Sequence, residues 1–114
     1  MRGIPVSCEV DEKLANLSRG AALVLYRIAQ EALGNVAKHS KAKQVEVRLS
    51  RVDGNVTLTV ADDGIGFVPN AHPGGLGLIN MRERVRQLNG TFEFDSKPGV
   101  GTTVRATVPF RPTA

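Results

Sequence analysis

Glu31 and Asn35 stand four residues apart, a spacing that sets both on one face of a helix. An acid and an amide there can offer oxygen ligands to a hard cation such as Mg²⁺, which is held by few protein groups plus phosphate oxygens. The same pair also makes an ordinary solvated helix face. Lys38 and His39 follow directly, and Lys38 shares a basic cluster with Lys41 and Lys43 that suits phosphate. Downstream, Asp62-Asp63-Gly64-Ile65-Gly66 closes an alternating stretch. Two carboxylates and two alternate glycines let backbone approach a flat ligand while an acid accepts a hydrogen bond from it. Asp-Gly pairs also build hairpin turns, but no matching strand follows. Instead comes a loop of about ten residues with Pro69, Pro73 and further glycines.

Gly74-Gly75-Leu76-Gly77-Leu78 opens a second helical stretch. Glycines at a helix N-terminus present N–H groups and the positive end of the dipole to phosphate; a flexible loop with a glycine cap has the same letters. No Gly-Lys-Ser/Thr follows, which excludes a Walker loop, and no βαβ context supports a dinucleotide fingerprint. Near the end, Gly99-Val100-Gly101-Thr102-Thr103 is either a turn or a segment that aims the Thr102 hydroxyl at a ligand beside the acidic loop.

The elements that must position these groups follow from periodicity. Apolar residues at 4, 6, 8 and 10 alternate as in a strand. A helix is expected from about Ser18 to His39, its apolar face carried by Leu25, Ile28, Ala29, Ala32, Leu33 and Val36. Gly34 within it weakens a helix, which points to a close packing partner. Val45, Val47 and Leu49, then Val56, Leu58 and Val60, alternate on either side of the turn signal Asp53-Gly54-Asn55. Leu78, Met81, Val85 and Leu88 mark a second amphipathic helix stopped at Asn89-Gly90. Phe92 and Phe94 alternate, Lys97-Pro98-Gly99 turns the chain, and Val104, Ala106 and Val108 form a last strand. Adjacent strands look hairpin-connected, and neither helix sits between evident parallel partners. The expected fold is α+β: a two-layer sandwich with helices on one face of a mixed, mostly antiparallel sheet.

The 114 residues fit one domain, 1–114, with one core. Hydrophobic and charged fractions of 41% and 23% are those of a soluble globular chain. No apolar run approaches the roughly 20 residues of a membrane span, and Met1-Arg2-Gly3 does not begin a signal peptide, so no membrane contact is expected. The single Cys8 excludes an internal disulfide, fits a reducing compartment, and reads as a small apolar strand residue. A net charge of +4 without a basic stripe and interleaved aromatics argues against nucleic acid.

In this order and spacing the segments from about Leu25 to Pro109 closely resemble the Bergerat-fold ATP-binding domains shared by gyrase, a heat-shock chaperone, histidine kinases and a mismatch-repair ATPase. Leu25-Tyr26-Arg27-Ile28-Ala29-Gln30-Glu31-Ala32-Leu33 through Asn35-Val36-Ala37-Lys38-His39 is similar to the asparagine box of one histidine-kinase branch, which pairs with NarL-type response regulators. Gly75-Leu76-Gly77-Leu78 with Asn80-Met81-Arg82-Glu83-Arg84-Val85, and the short lid, resemble the same branch.

The resemblance implies ATP and Mg²⁺ as ligands. Asp62 would accept from the adenine amino group, with Gly64 and Gly66 giving close approach and Thr102 assisting through water. Asn35 would ligate Mg²⁺, and Glu31 would lie beside the metal or the attacking group. Lys38 and His39 would contact phosphates. Gly75, Leu76, Gly77 and Leu78 would hold the phosphate chain under a lid from about Phe67 to Gly74. His39, being in the ATP site by this alignment, is not the expected phosphoacceptor, and His72 is an ordinary lid residue. That family's acceptor histidine belongs to a preceding helical dimerisation domain, which these residues lack along with any sensor region. The chain is therefore expected to be a monomeric, cytoplasmic fragment of a larger kinase, the parent being either soluble or membrane-anchored. It would bind ATP and pass the γ-phosphoryl to that other domain, upstream of a NarL-type regulator. The alternatives are an anti-sigma-type serine kinase or ATPase of the same fold, and a module that has lost nucleotide and serves protein contacts.

Overall fold

In the computed structural model of the chain, period-two alternation becomes strands and three-to-four-residue periodicity becomes helices. The structure describes residues 6–12, 17–35, 43–64, 75–97 and 99–110, with the backbone alone for Asn35 and residues 75–79. The order is β1 (Val6–Val10), α1 (Arg19–Asn35), β2 (Val45–Val52), β3 (Asn55–Asp62), α2 (Gly75–Gln87), β4 (Thr91–Lys97) and β5 (Gly101–Pro109). The strands form one sheet in the order β1-β2-β3-β5-β4. Helices cover one face, so the expected α+β sandwich stands, with a mixed sheet antiparallel at every pair except β1–β2.

That exception corrects one expectation. β1 and β2 pair in parallel, Val6 with Val45 through Val10 with Leu49, so α1 does join two parallel partners. Period-two alternation records which face a residue takes and is silent on strand direction. A crossover through a helix also lacks the turn signals that betray a hairpin. Gly34 differs as well: a Cβ added there meets no atom within 4 Å among the described residues, so none of them packs closely against it.

Register assembles the core in rows across the sheet. Phe94, Val104, Val60 and Val47 form one row and Phe92, Ala106, Leu58 and Leu49 the next; Cys8 and Val10 continue these rows onto β1, where both are exposed. Onto these rows α1 sets Ala21, Leu25, Ile28 and Ala32, and α2 sets Met81 and Val85, all buried. Ile28, Val56, Val85 and Val108 keep no exposed surface. Alternate residues face the open side and pair by charge: Arg48 meets Glu9 and Glu46 at 3.0 and 2.9 Å, and Arg105 meets Glu93 at 3.1 Å.

Local chemistry fixes the element ends. Ser18 caps α1, its Oγ accepting the Ala21 N–H at 3.3 Å. α2 stops where Asn89 takes φ 61° and the Gly90 N–H returns to the Val85 carbonyl at 3.0 Å. Asp53, at φ 56°, and Gly54 make the two-residue turn between β2 and β3. The Val100 N–H closes the β4–β5 turn on the Lys97 carbonyl at 2.9 Å, with Gly99 at φ 80°.

Candidate functional site

Continuing the rows toward the other sheet end replaces apolar side chains by polar ones. The terminal row reads Ser96, Thr102, Asp62, Val45 across β4, β5, β3 and β2. Alternation drives this: Val56, Leu58 and Val60 point at the helices, so the next residue of that phase, Asp62, points there too. The same holds for Thr102, in phase with Val104, Ala106 and Val108.

Asp62 and Thr102 face each other directly in the β3–β5 register. The Asp62 Oδ1 accepts the Gly64 N–H at 2.7 Å. Burial pushes its pKa above the ordinary 3.8, against the stabilising N–H groups of Gly64 and Thr102, and the neighbouring Asp63 charge adds to the rise. Thr102 is buried at 7% exposure, and its Oγ1 lies 2.9 Å from the Ser96 Oγ. Gly101, at φ 142°, lies so close to the Asp62 carbonyl that a Cβ would collide with it. Here a side chain is excluded by both backbone conformation and space.

Asp63 serves a different purpose. Its Oδ1 accepts the N–H groups of Lys43 and Gln44 at 2.9 and 3.1 Å, tying the entry of β2 to the exit of β3. The Gln44 and Lys43 N–H groups hold its pKa below the ordinary 3.8. Sequence alone presents two equivalent carboxylates. In the fold one is spent on backbone, and the other keeps acceptor capacity in a half-buried setting.

α1 and α2 flank a groove of about 390 Å³ lined by Arg27, Gln30, Glu31, Asn80 and Arg84 among others. Glu31 is exposed and makes no ion pair among the described residues. Asn35 ends α1 one turn further on. Among the described residues no three His, Cys, Asp or Glu side chains gather. By donor type alone, a carboxylate and an amide are the few protein oxygens that a Mg²⁺ keeping its waters and phosphate oxygens would need.

Gly75 and Gly77, with Leu76 and Leu78, form the first turn of α2. Lys38, His39, Gly66, His72 and the lid expected from Phe67 to Gly74 lie outside the described residues. Two participants went unnoticed in the sequence, Ser96 and the close approach at Gly101. The second had a signal in the alternate glycines of Gly99-Val100-Gly101; the first had none, because its meaning depends on the β4–β5 register.

Comparison with known proteins bears on the family and the fold. The family described as histidine kinase-, DNA gyrase B- and HSP90-like ATPase matches residues 20–112. The chain therefore belongs to that family, as an ATP-binding domain of the histidine-kinase type. Sensor histidine kinase LiaS of Bacillus subtilis (strain 168) is 38% identical over 109 residues, covering 95% of this chain and 30% of that protein. Among solved structures, the Erythrobacter litoralis EL346 blue-light activated histidine kinase superposes with a TM-score of 0.82 at 26% identity, covering 96% of this chain and 36% of the other. Full-length ShkA in complex with AMPPNP superposes at 0.74 and 26% identity, covering 98% of this chain and 27% of that one. The chain thus spans about a third or less of these relatives' lengths. Among the described residues no helix is long and apolar enough to cross a membrane.

Proposed function

We propose that residues 1–114 are the single catalytic domain of a sensor histidine kinase, which binds ATP with Mg²⁺ and passes the γ-phosphoryl to a histidine on a separate dimerisation domain. The observation that carries this is the pairing of Asp62 with Thr102 at the polar end of the sheet. A half-buried carboxylate beside a buried hydroxyl offers an acceptor and a donor to the edge of one flat base. The resemblance of the glycine and asparagine boxes to those of kinases supports the rest, as does the AMPPNP bound by ShkA.

Asp62 accepts the exocyclic amino proton of adenine, Thr102 assists from β5, and Gly64 and Gly66 let the base lie close. Gly75, Leu76, Gly77 and Leu78 cradle the phosphates at the α2 N-terminus, joined by Lys38 and His39. Asn35 holds Mg²⁺ with Glu31 beside it; when bound, the ion neutralises charge on the phosphate oxygens. The acceptor imidazole uses a nitrogen lone pair to form the N–P bond as the bridging P–O bond breaks. ADP leaves, and the imidazole proton passes to Glu31 or to water. Because the nucleophile comes from elsewhere, this domain contributes positioning and charge stabilisation rather than a strong base. The chain alone is monomeric and turns ATP over slowly. In the cell it acts in the cytoplasm, upstream of a NarL-type response regulator.

The test is to incubate the chain with γ-labelled ATP and a separately supplied dimerisation domain from a full kinase that contains it. The expected product is label on that domain that survives alkali and is lost in acid. Acid-stable label would replace the histidine with a hydroxyl acceptor, and label independent of the added domain would overturn the division of labour.

A further inference from the structure

Ser96 ends the helix-facing phase of β4, where Phe92 and Phe94 have already joined the core. Its register partner is Thr102, whose other partner across β5 is Asp62. Three polar side chains from three strands therefore line up at the candidate base site, and Thr102 is the middle one. A threonine hydroxyl has one proton and can either donate or accept toward a given neighbour. With Oγ atoms 2.9 Å apart, one of the two hydroxyls donates to the other. Which of them does so decides what Thr102 can offer a ligand. If Thr102 donates to Ser96, it meets a base as an acceptor only. If Ser96 donates to Thr102, the Thr102 proton is free for an acceptor on the base.

The neighbouring groups favour the second arrangement. Asp62 already presents an acceptor, its carboxylate held by the N–H groups of Gly64 and Thr102. Two acceptors side by side cannot match an adenine edge, which shows an amino donor next to the ring-nitrogen acceptor N1. We propose that Ser96 is a positioning residue for base recognition, donating its hydroxyl proton to Thr102 and so turning Thr102 into a donor beside the Asp62 acceptor. This rests on the reading of Asp62 as the adenine acceptor. The donor–acceptor pair then complements adenine and mismatches guanine, whose corresponding edge reverses the order with O6 as acceptor. Thr102 delivers its proton to N1 directly or through one water. Near-complete burial of Thr102 keeps bulk water from competing for the choice.

Ser96→Val and Ser96→Thr isolate the hydroxyl, since the two side chains have nearly the same shape and both suit a strand. The probes are ADP and 1-deaza-ADP, which lacks the N1 acceptor, titrated calorimetrically into wild type and both variants. Ser96→Val is expected to weaken ADP by about three- to tenfold, the range of one neutral hydrogen bond. It should leave 1-deaza-ADP unchanged, and Ser96→Thr should restore wild-type affinity for ADP. Equal losses on both probes, or no loss on ADP, would overturn the proposal. Should the valine variant not fold, Ser96→Ala takes its place in the same comparison. Asp62→Asn separates the two levels. If Asp62→Asn leaves ADP binding intact, the base site itself is misassigned and Ser96 falls with it. If Asp62→Asn abolishes binding while Ser96→Val is neutral, only the role of Ser96 is lost.

Discussion

Asp62 and Asp63, adjacent in the chain, are driven in opposite directions by the fold. Burial raises the pKa of Asp62, whereas the Gln44 and Lys43 N–H groups lower that of Asp63. A ligand that needs the Asp62 carboxylate ionised must lose affinity as pH falls through the raised pKa, above the ordinary value of 3.8. ADP titrations at stepwise lower pH should show this decline before general acid unfolding, and Asp62→Asn should flatten it. A decline that persists unchanged in Asp62→Asn assigns the titration to another group.

The same two groups act oppositely on stability. Asp63, with its folded pKa depressed, contributes stability that is present above 3.8 and lost as pH falls through the lower folded value. Asp62, with its folded pKa raised, contributes stability that is present below 3.8 and lost as pH rises through the raised value. Asp62→Asn is therefore expected to stabilise the ligand-free chain at neutral pH, as read by urea denaturation, while Asp63→Ala destabilises it. Denaturation midpoints moving the same way in both variants would contradict this.

Gly101 is predicted to be intolerant of any side chain. Its φ of 142° and its contact with the Asp62 carbonyl both penalise a Cβ. Gly101→Ala should cost about 2 kcal/mol or more of unfolding free energy. The equivalent change at Gly34, where a Cβ meets no described atom, should stabilise α1 by up to about 1 kcal/mol. Equal effects at the two glycines would show that the difference in space and conformation is irrelevant.

Ile28, fully buried under the sheet rows, anchors α1 and with it Glu31 and Asn35. Truncation to Ala should cost about 2–5 kcal/mol. Removing the Ser18 cap should cost about 0.5–2 kcal/mol. Chemical denaturation of Ile28→Ala and Ser18→Ala checks both, and a larger loss at Ser18 would mean that α1 is held by its cap rather than its packing.

How far the sequence reaches is clear from particular residues. Val56, Leu58 and Val60 are legible as one face of a strand because period two is written locally, and Asp62 inherits that face. Asn89-Gly90 is legible as a helix stop because left-handed backbone needs such residues. The partners of Asp63 are not legible, since Lys43 and Gln44 lie just before β2, distant in the chain from Asp63. Nor is the link from Ser96 to Thr102, which exists only once β4 and β5 have found their register. The parallel pairing of β1 with β2 is hidden for a related reason: direction leaves no trace in alternation.

As proposed, Asp62 and Thr102 form a base-binding site for ATP. Calorimetric titration with ADP and a non-hydrolysable ATP analogue, with and without Mg²⁺, tests it most directly. One-site saturable binding that is lost in Asp62→Asn, with Mg²⁺ strengthening the triphosphate analogue, is the predicted result. No binding of either nucleotide at millimolar concentration, or binding indifferent to Asp62→Asn, would contradict it.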